Sequence, residues 1–161
     1  MPVQTYNINI QGAQAGDLYG LTYTNSLRES FRTAVECAAG KVVKRGASDR
    51  EVTLGSAGAG MQFGVVIRQM VVESDFRPNT GAALFPIGSI VPVLLEGTIQ
   101  LVTIGGATAG GAVYVNDLTG DITNVPTTEF VLADNMKFDS SGAAGDIVRV
   151  FISRSLIVLP V

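Results

Sequence analysis

The apolar residues of this chain gather in short β-branched runs, and the runs are entered through a glycine. One phrase recurs four times: Gly40-Lys41-Val42-Val43, Gly88-Ser89-Ile90-Val91-Pro92-Val93, Gly111-Ala112-Val113-Tyr114-Val115 and Gly145-Asp146-Ile147-Val148-Arg149-Val150. Glycine supplies the positive φ that a tight turn needs. The β-branched run behind it fits a half-buried pleated surface. Each copy therefore predicts a tight turn that delivers the chain into a strand. The pattern predicts strands at 41–45, 51–54, 62–68, 90–95, 97–103, 112–116, 121–123, 129–132 and 147–153. Turn signals at 55–60, 78–81, 105–106 and 140–142 separate them. Leu95-Glu96-Gly97-Thr98 and Asn116-Asp117-Leu118-Thr119-Gly120-Asp121 read as hairpin turns. The spacing of the phrase is irregular, which excludes a solenoid of fixed period. Many short strands with Gly-rich turns predict an all-β, barrel-like or sandwich domain.

The two ends break this pattern. Residues 1–34 are rich in small and polar residues and read as an extended N-terminal arm; the β-rich domain then occupies 35–161. Within the arm, Tyr6, Ile8, Ile10, Leu18 and Tyr19 stand as isolated anchors for a neighbouring surface. Ser26-Leu27-Arg28-Glu29-Ser30-Phe31-Arg32 carries capping-box spacing and predicts a turn or two of helix, although the same run also alternates. The short apolar tail, with Leu156, Ile157 and Leu159, reads as a second partner contact.

Composition sharpens this picture. Charged residues are only 16% of the 161, and the mean hydropathy is +0.35. So little charge cannot wet a whole surface, which points to area covered by other subunits and to a homo-oligomer, a trimer ahead of a dimer. Net charge is −3, and no basic stripe with interleaved aromatics occurs, so nucleic acid is not an expected partner. No signal peptide or long apolar span is read, so neither is a membrane.

Candidate chemistry is thin. The single cysteine, Cys37, reads as a small buried hydrophobe, and cysteine usage suggests synthesis in a reducing compartment. With no histidine, a conventional nucleophilic triad and a zinc site are both out of reach. Gly55-Ser56-Ala57-Gly58-Ala59-Gly60 lacks the lysine and hydroxyl of a phosphate loop. Asp117 and Asp121 with Asn116 could offer oxygens to calcium, but the alternating ligand pattern is missing and turn chemistry explains them better. The expectation is no enzyme, no cofactor and no metal.

In order along the chain, Ala38-Ala39-Gly40-Lys41-Val42-Val43-Lys44-Arg45-Gly46, Phe63-Gly64-Val65-Val66-Ile67, Pro86-Ile87-Gly88-Ser89-Ile90-Val91-Pro92-Val93, Ala109-Gly110-Gly111-Ala112-Val113-Tyr114-Val115 and Ala143-Ala144-Gly145-Asp146-Ile147-Val148-Arg149-Val150 resemble the capsid cement (decoration) proteins of tailed bacteriophages. The resemblance covers about residues 35–152. It implies a β-barrel-like domain, homo-oligomers seated on the outer capsid surface where major capsid subunits meet, and no catalysis. Synthesis would then be in the cytoplasm of a bacterial host. The competing readings are a phage tail or baseplate component and a glycan-binding β module; the second lacks a surface aromatic cluster.

Overall fold

The computed structural model describes residues 14–19, 26–55, 64–68 and 84–154, and every regular element among them is a strand. In chain order these are β1 (Leu27–Thr33), β2 (Cys37–Ala38), β3 (Val42–Arg45), β4 (Glu51–Leu54), β5 (Gly64–Val66), β6 (Leu84–Phe85), β7 (Ile90–Val102), β8 (Ala112–Asn116), β9 (Ile122–Thr123), β10 (Phe130–Phe138) and β11 (Ile147–Ile152). The all-β expectation holds.

Nine of the strands close into two rings that share β7. In the first ring β1 runs antiparallel to the first half of β7, and β5, β3 and β4 follow. The parallel pairing of β4 with β1 closes it as a five-stranded barrel. In the second, the later half of β7 pairs β11, then β10, β8 and β9 follow. A parallel bridge from Thr103 to Ile122 closes that one. Closure leaves few bare edges on which another chain could misassemble. The hairpin expected at 95–98 does not form. β7 passes straight through it as one 13-residue strand, with Gly97 at φ +134°. Leu95-Glu96-Gly97-Thr98 has positive φ only at its second central residue, whereas a type I′ turn needs it at both and a type II′ turn at the first, and β7 is hydrogen-bonded on both sides of Gly97.

The adjacent valines now make sense. Val43, Val66 and Val93 point into the first barrel beside Phe31, Val52 and Val91. Their chain neighbours Val42, Val65 and Leu94 point the other way, into a second core with Ile99, Leu101, Val113, Val115, Ile122, Phe138, Val148 and Val150. A strand with both faces buried reads as a continuous apolar run, not as an alternation.

Leu27–Thr33 is a strand, which corrects the helical expectation. Phe31 and Thr33 are buried while Arg28, Ser30 and Arg32 are exposed, the period-two pattern of a half-buried strand. Pairing to β7 on one edge and β4 on the other outweighs a local capping motif. The latter part of the expected arm is thus a wall of the first barrel.

The recurring phrase is a turn with a clamp, and five of them occur among the described residues. In Gln14–Asp17, Ala38–Lys41, Pro86–Ser89, Thr108–Gly111 and Ala143–Asp146, the fourth N–H donates to the first carbonyl. The third residue is always glycine with φ between +78° and +88°. This is the geometry of a type II turn. Each turn then grips one residue of another segment: the glycine N–H donates to that residue's carbonyl, and its N–H donates back to the carbonyl after the glycine. The gripped residues are Gln100, Val66, Thr33, Phe138 and Thr103. In the third copy of the phrase the positive φ belongs to Gly110, not to the expected Gly111.

Candidate interaction surface

Of the residues expected to touch a partner, Leu18 and Tyr19 lie in the described structure; Tyr6, Ile8, Ile10, Leu156, Ile157 and Leu159 lie outside the described residues. The segment 16–19 runs along the second half of β7. Gly16 and Tyr19 donate to the carbonyls of Gln100 and Thr98, at 2.8 and 3.0 Å, and Leu18 bridges Ile99. Leu18 packs against the chain's own second core. Tyr19 faces outward, 46% exposed, with the Arg149 guanidinium 4.6 Å from its ring centre. Arg149 also reaches Asp139 at 3.5 Å. An aromatic ring held by an arginine keeps a fixed orientation at the surface.

The expected turn at 116–121 is present and is built as a rigid knob. The Asn116 side-chain oxygen accepts from the N–H groups of Leu118 and Thr119, at 2.9 and 3.0 Å. The carboxylates of Asp117 and Asp121 face the barrel, where Lys44 and Lys41 pair with them. Val42 donates to the Gly120 carbonyl at 3.0 Å, so this loop of the second ring is fastened to the first. Leu118 stands at its tip, 83% exposed.

Other outward apolar side chains sit at strand starts and ends. Ile87 and Ile90 are 71% and 64% exposed where β7 begins. Val102, Ile104, Val125 and Ile147 are partly exposed where it ends. Sequence reading missed these because Ile90 and Ile147 belong to runs whose other members are core. The available signal was their position, the first strand residue after each turn.

Cys37 is buried, and desolvation pushes its thiol above the ordinary cysteine value, with the nearby Glu36 charge in the same direction and the Thr33 hydroxyl opposing. Such a thiol is a poor nucleophile. Among the described residues no three His, Cys, Asp or Glu side chains are grouped to hold a metal ion. What this surface offers is shape, apolar area and a few fixed charges.

The described residues form a double-ring β scaffold with apolar side chains at its rims. The chain belongs to the structural cement proteins of phages (E217 gp24/Pam3 gp6), whose family model matches residues 2–153. None of the curated proteins matches it. In fold it is similar to a chain of the capsid of Myoviridae phage XM1, with TM-score 0.67, 16% identity, and 86% of this chain and 88% of that one covered. A more distant match is the N base of head fiber gp8.5 in bacteriophage phi29, with TM-score 0.45 and 12% identity over 83% of this chain and 99% of that one. Membership makes the chain a phage structural cement protein.

Proposed function

We propose that this protein binds the outside of an assembled phage capsid as a homo-oligomer and stabilises the shell by bridging neighbouring major capsid subunits. The observation that carries the reading is the family match along nearly the whole chain. The physical basis is linkage. A protein that binds the assembled lattice and not its separated subunits stabilises the lattice by mass action. Many copies on a symmetric shell multiply the effect. Low charge and outward isoleucines favour covered surface over free surface. Tyr19, the segment with Tyr6, Ile8 and Ile10, and the tail with Leu156, Ile157 and Leu159 supply further contacts in this reading. Mild acidity suits the outer face better than one beside packaged genome. The protein would be made in the bacterial cytoplasm and added to the shell there.

The test is co-sedimentation of the purified protein with shells that lack it, and separately with purified tails. The expected result is saturable binding to shells alone. Binding to tails alone would favour the tail or baseplate reading. Light scattering of the free protein at tens of micromolar, a rough range for modest affinity, is expected to give a trimer or dimer mass.

A further inference from the structure

The two rings correspond in strand register. In the first, Thr33 at the end of β1 pairs Val52 in parallel; in the second, Thr103 just after β7 pairs Ile122 in parallel, 70 residues on at both positions (33 to 103, 52 to 122). Arg45 opposite Val52 becomes Val115 opposite Ile122. Val66 opposite Val93 becomes Phe138 opposite Val150, and Arg32 opposite Ile90 becomes Val102 opposite Ile147. The first half of β7 therefore corresponds to β11, 57 residues on (90 to 147, 93 to 150). Each is delivered by a glycine turn that grips a threonine, Thr33 or Thr103. β7 then runs on as the first strand of the second ring. The same shift of 57 carries that later half of β7 onto residues 153–159. Thr98, Ile99, Leu101 and Val102 become Ser155, Leu156, Val158 and Leu159, while Gly97 and Gln100 are replaced by Arg154 and Ile157. The registers carry the correspondence as far as Ile152, and the sequence carries it on. Residues 155–159 lie beyond the span 2–153 that the family model matches, so family membership does not account for them.

What a strand of this kind pairs with can be read from β7. Ile99 is opposite Val150 of β11 on one edge and opposite Leu18 of segment 16–19 on the other. The two partners begin alike. In Gln14-Ala15-Gly16-Asp17 and Ala143-Ala144-Gly145-Asp146 the aspartate carboxylate accepts from the first residue's N–H, at 2.9 and 2.8 Å. The glycines stand at φ +87° and +88°, and each donates to a carbonyl of the gripped strand, that of Gln100 or Thr103. Segment 16–19 has a second edge. Tyr19 donates to Thr98 and Asp17 accepts from Gln100, so the N–H and C=O of Leu18, between them, point away from β7. Among the described residues they have no hydrogen-bond partner, and Arg68 meets that edge at its start, donating to the Gly16 carbonyl at 3.0 Å. Tyr19 stands exposed beside it. An open strand edge is a template for another strand.

We infer that residues 155–159 of one copy pair, antiparallel, with this open edge of segment 16–19 in a second copy of the chain. The inference deepens the homo-oligomer part of the proposed function and rests on it. Segment 16–19 then lies between two strands of one kind, its own β7 and the neighbour's tail, as β7 lies between two partners of one kind. The Leu18 backbone gains its missing bonds, and a run without charge from Ser155 to Leu159 covers the edge. Main-chain bonds supply affinity in such an addition, and alternate side chains supply specificity. A chain cannot serve itself in this way. β11 and segment 16–19 flank β7 on opposite edges, so a strand outside segment 16–19 is three strand spacings from the line of β11, about 14 Å. Ile157 is three residues beyond Arg154, and three residues span at most about 11 Å. Each copy donates a tail and offers an edge, a contact between unlike surfaces that closes into a ring when the rotation allows.

The experiment compares the full-length protein with Ile157→Val, with Ile157→Pro and with a protein ending at Arg154, by light scattering over a dilution series. Ile157→Pro removes the N–H that corresponds to the one Gln100 donates to Asp17. Full-length protein and Ile157→Val are expected to share one oligomer mass. Ile157→Pro is expected to weaken self-association by on the order of tenfold or more, and truncation to leave monomers. Circular dichroism of each dilute protein checks that it is folded, and Ile157→Pro decides the matter if the truncated protein is not. Cross-linking then fixes the site: Tyr19→Cys and Ile157→Cys proteins are mixed and treated with a short bismaleimide, the buried Cys37 of the unaltered protein serving as the blank. The expected product joins one chain of each. An unchanged oligomer mass in both tail variants overturns the inference and leaves the homo-oligomer reading standing, as does a cross-link that forms only within a chain carrying both cysteines. A monomeric full-length protein is a different result, which removes the homo-oligomer reading and the inference with it.

Discussion

Glycines set the turns of this molecule, but two of them do different jobs. Gly145 lies in open space with φ +88°, so it is needed only for its backbone conformation. Gly120 has φ +70° and also lets the Val42 carbonyl approach; a Cβ there would sit 2.5 Å from that oxygen. Gly145→Ala is expected to cost about 1–2 kcal/mol, the left-handed penalty for an L residue. Gly120→Ala adds a backbone clash that undocks the loop from the barrel, and urea unfolding should show a clearly larger loss. Asp117→Ala removes an ion pair whose partners are 25% and 47% exposed, worth less than about 1 kcal/mol. Cys37 gives a second residue-scale test. Its folded thiol holds its proton more tightly than the unfolded one. That contribution is present below the unfolded value, about 8.5, and is lost as pH rises through the higher folded value. Stability should therefore begin to fall above about pH 8.5. Iodoacetamide at pH 8 should label Cys37 only after unfolding; rapid labelling of the native protein would contradict its burial.

Among the elements, most strands were legible because turn residues bound them on both sides. The expected strands at 112–116 and 147–153 match β8 and β11 to within a residue. The two-residue strands β2 and β6 and the second half of β10 were not expected, and two longer elements were misread. β1 carried both a capping signal and an alternation, and only the tertiary pairing to β7 and β4 decides between them. β7 looked like two strands because Gly97 in sequence is a breaker, whereas in a doubly paired strand it is carried through at φ +134°. The described part of the arm, residues 14–19, is decided on the same grounds. Removing residues 1–20 strips the clamp on Gln100 and the burial of Leu18, a loss of about 2–4 kcal/mol. Calorimetry of the truncated and full-length proteins should show it; equal melting would mean that segment 14–19 does not hold the edge of β7.

For the whole molecule, the sequence showed the recurring phrase but hid the repeat behind it. The two phrase pairs are 70 residues apart (40 to 110) and 57 apart (88 to 145), and only the strand registers reveal that both shifts describe one duplication. The candidate surface was least legible, because an outward isoleucine at the head of a core strand looks like core. What emerges is a stiff bipartite body with its two rings fastened by Lys41–Asp121 and Lys44–Asp117 and apolar rims at both ends. In the proposed function, such a body stabilises by holding its partners at a fixed separation. The most direct measurement is the disassembly temperature of purified shells by calorimetry, with and without saturating protein. The account predicts a rise that grows with protein concentration as ligand linkage requires. An unchanged disassembly temperature, with the protein demonstrably bound, would contradict it.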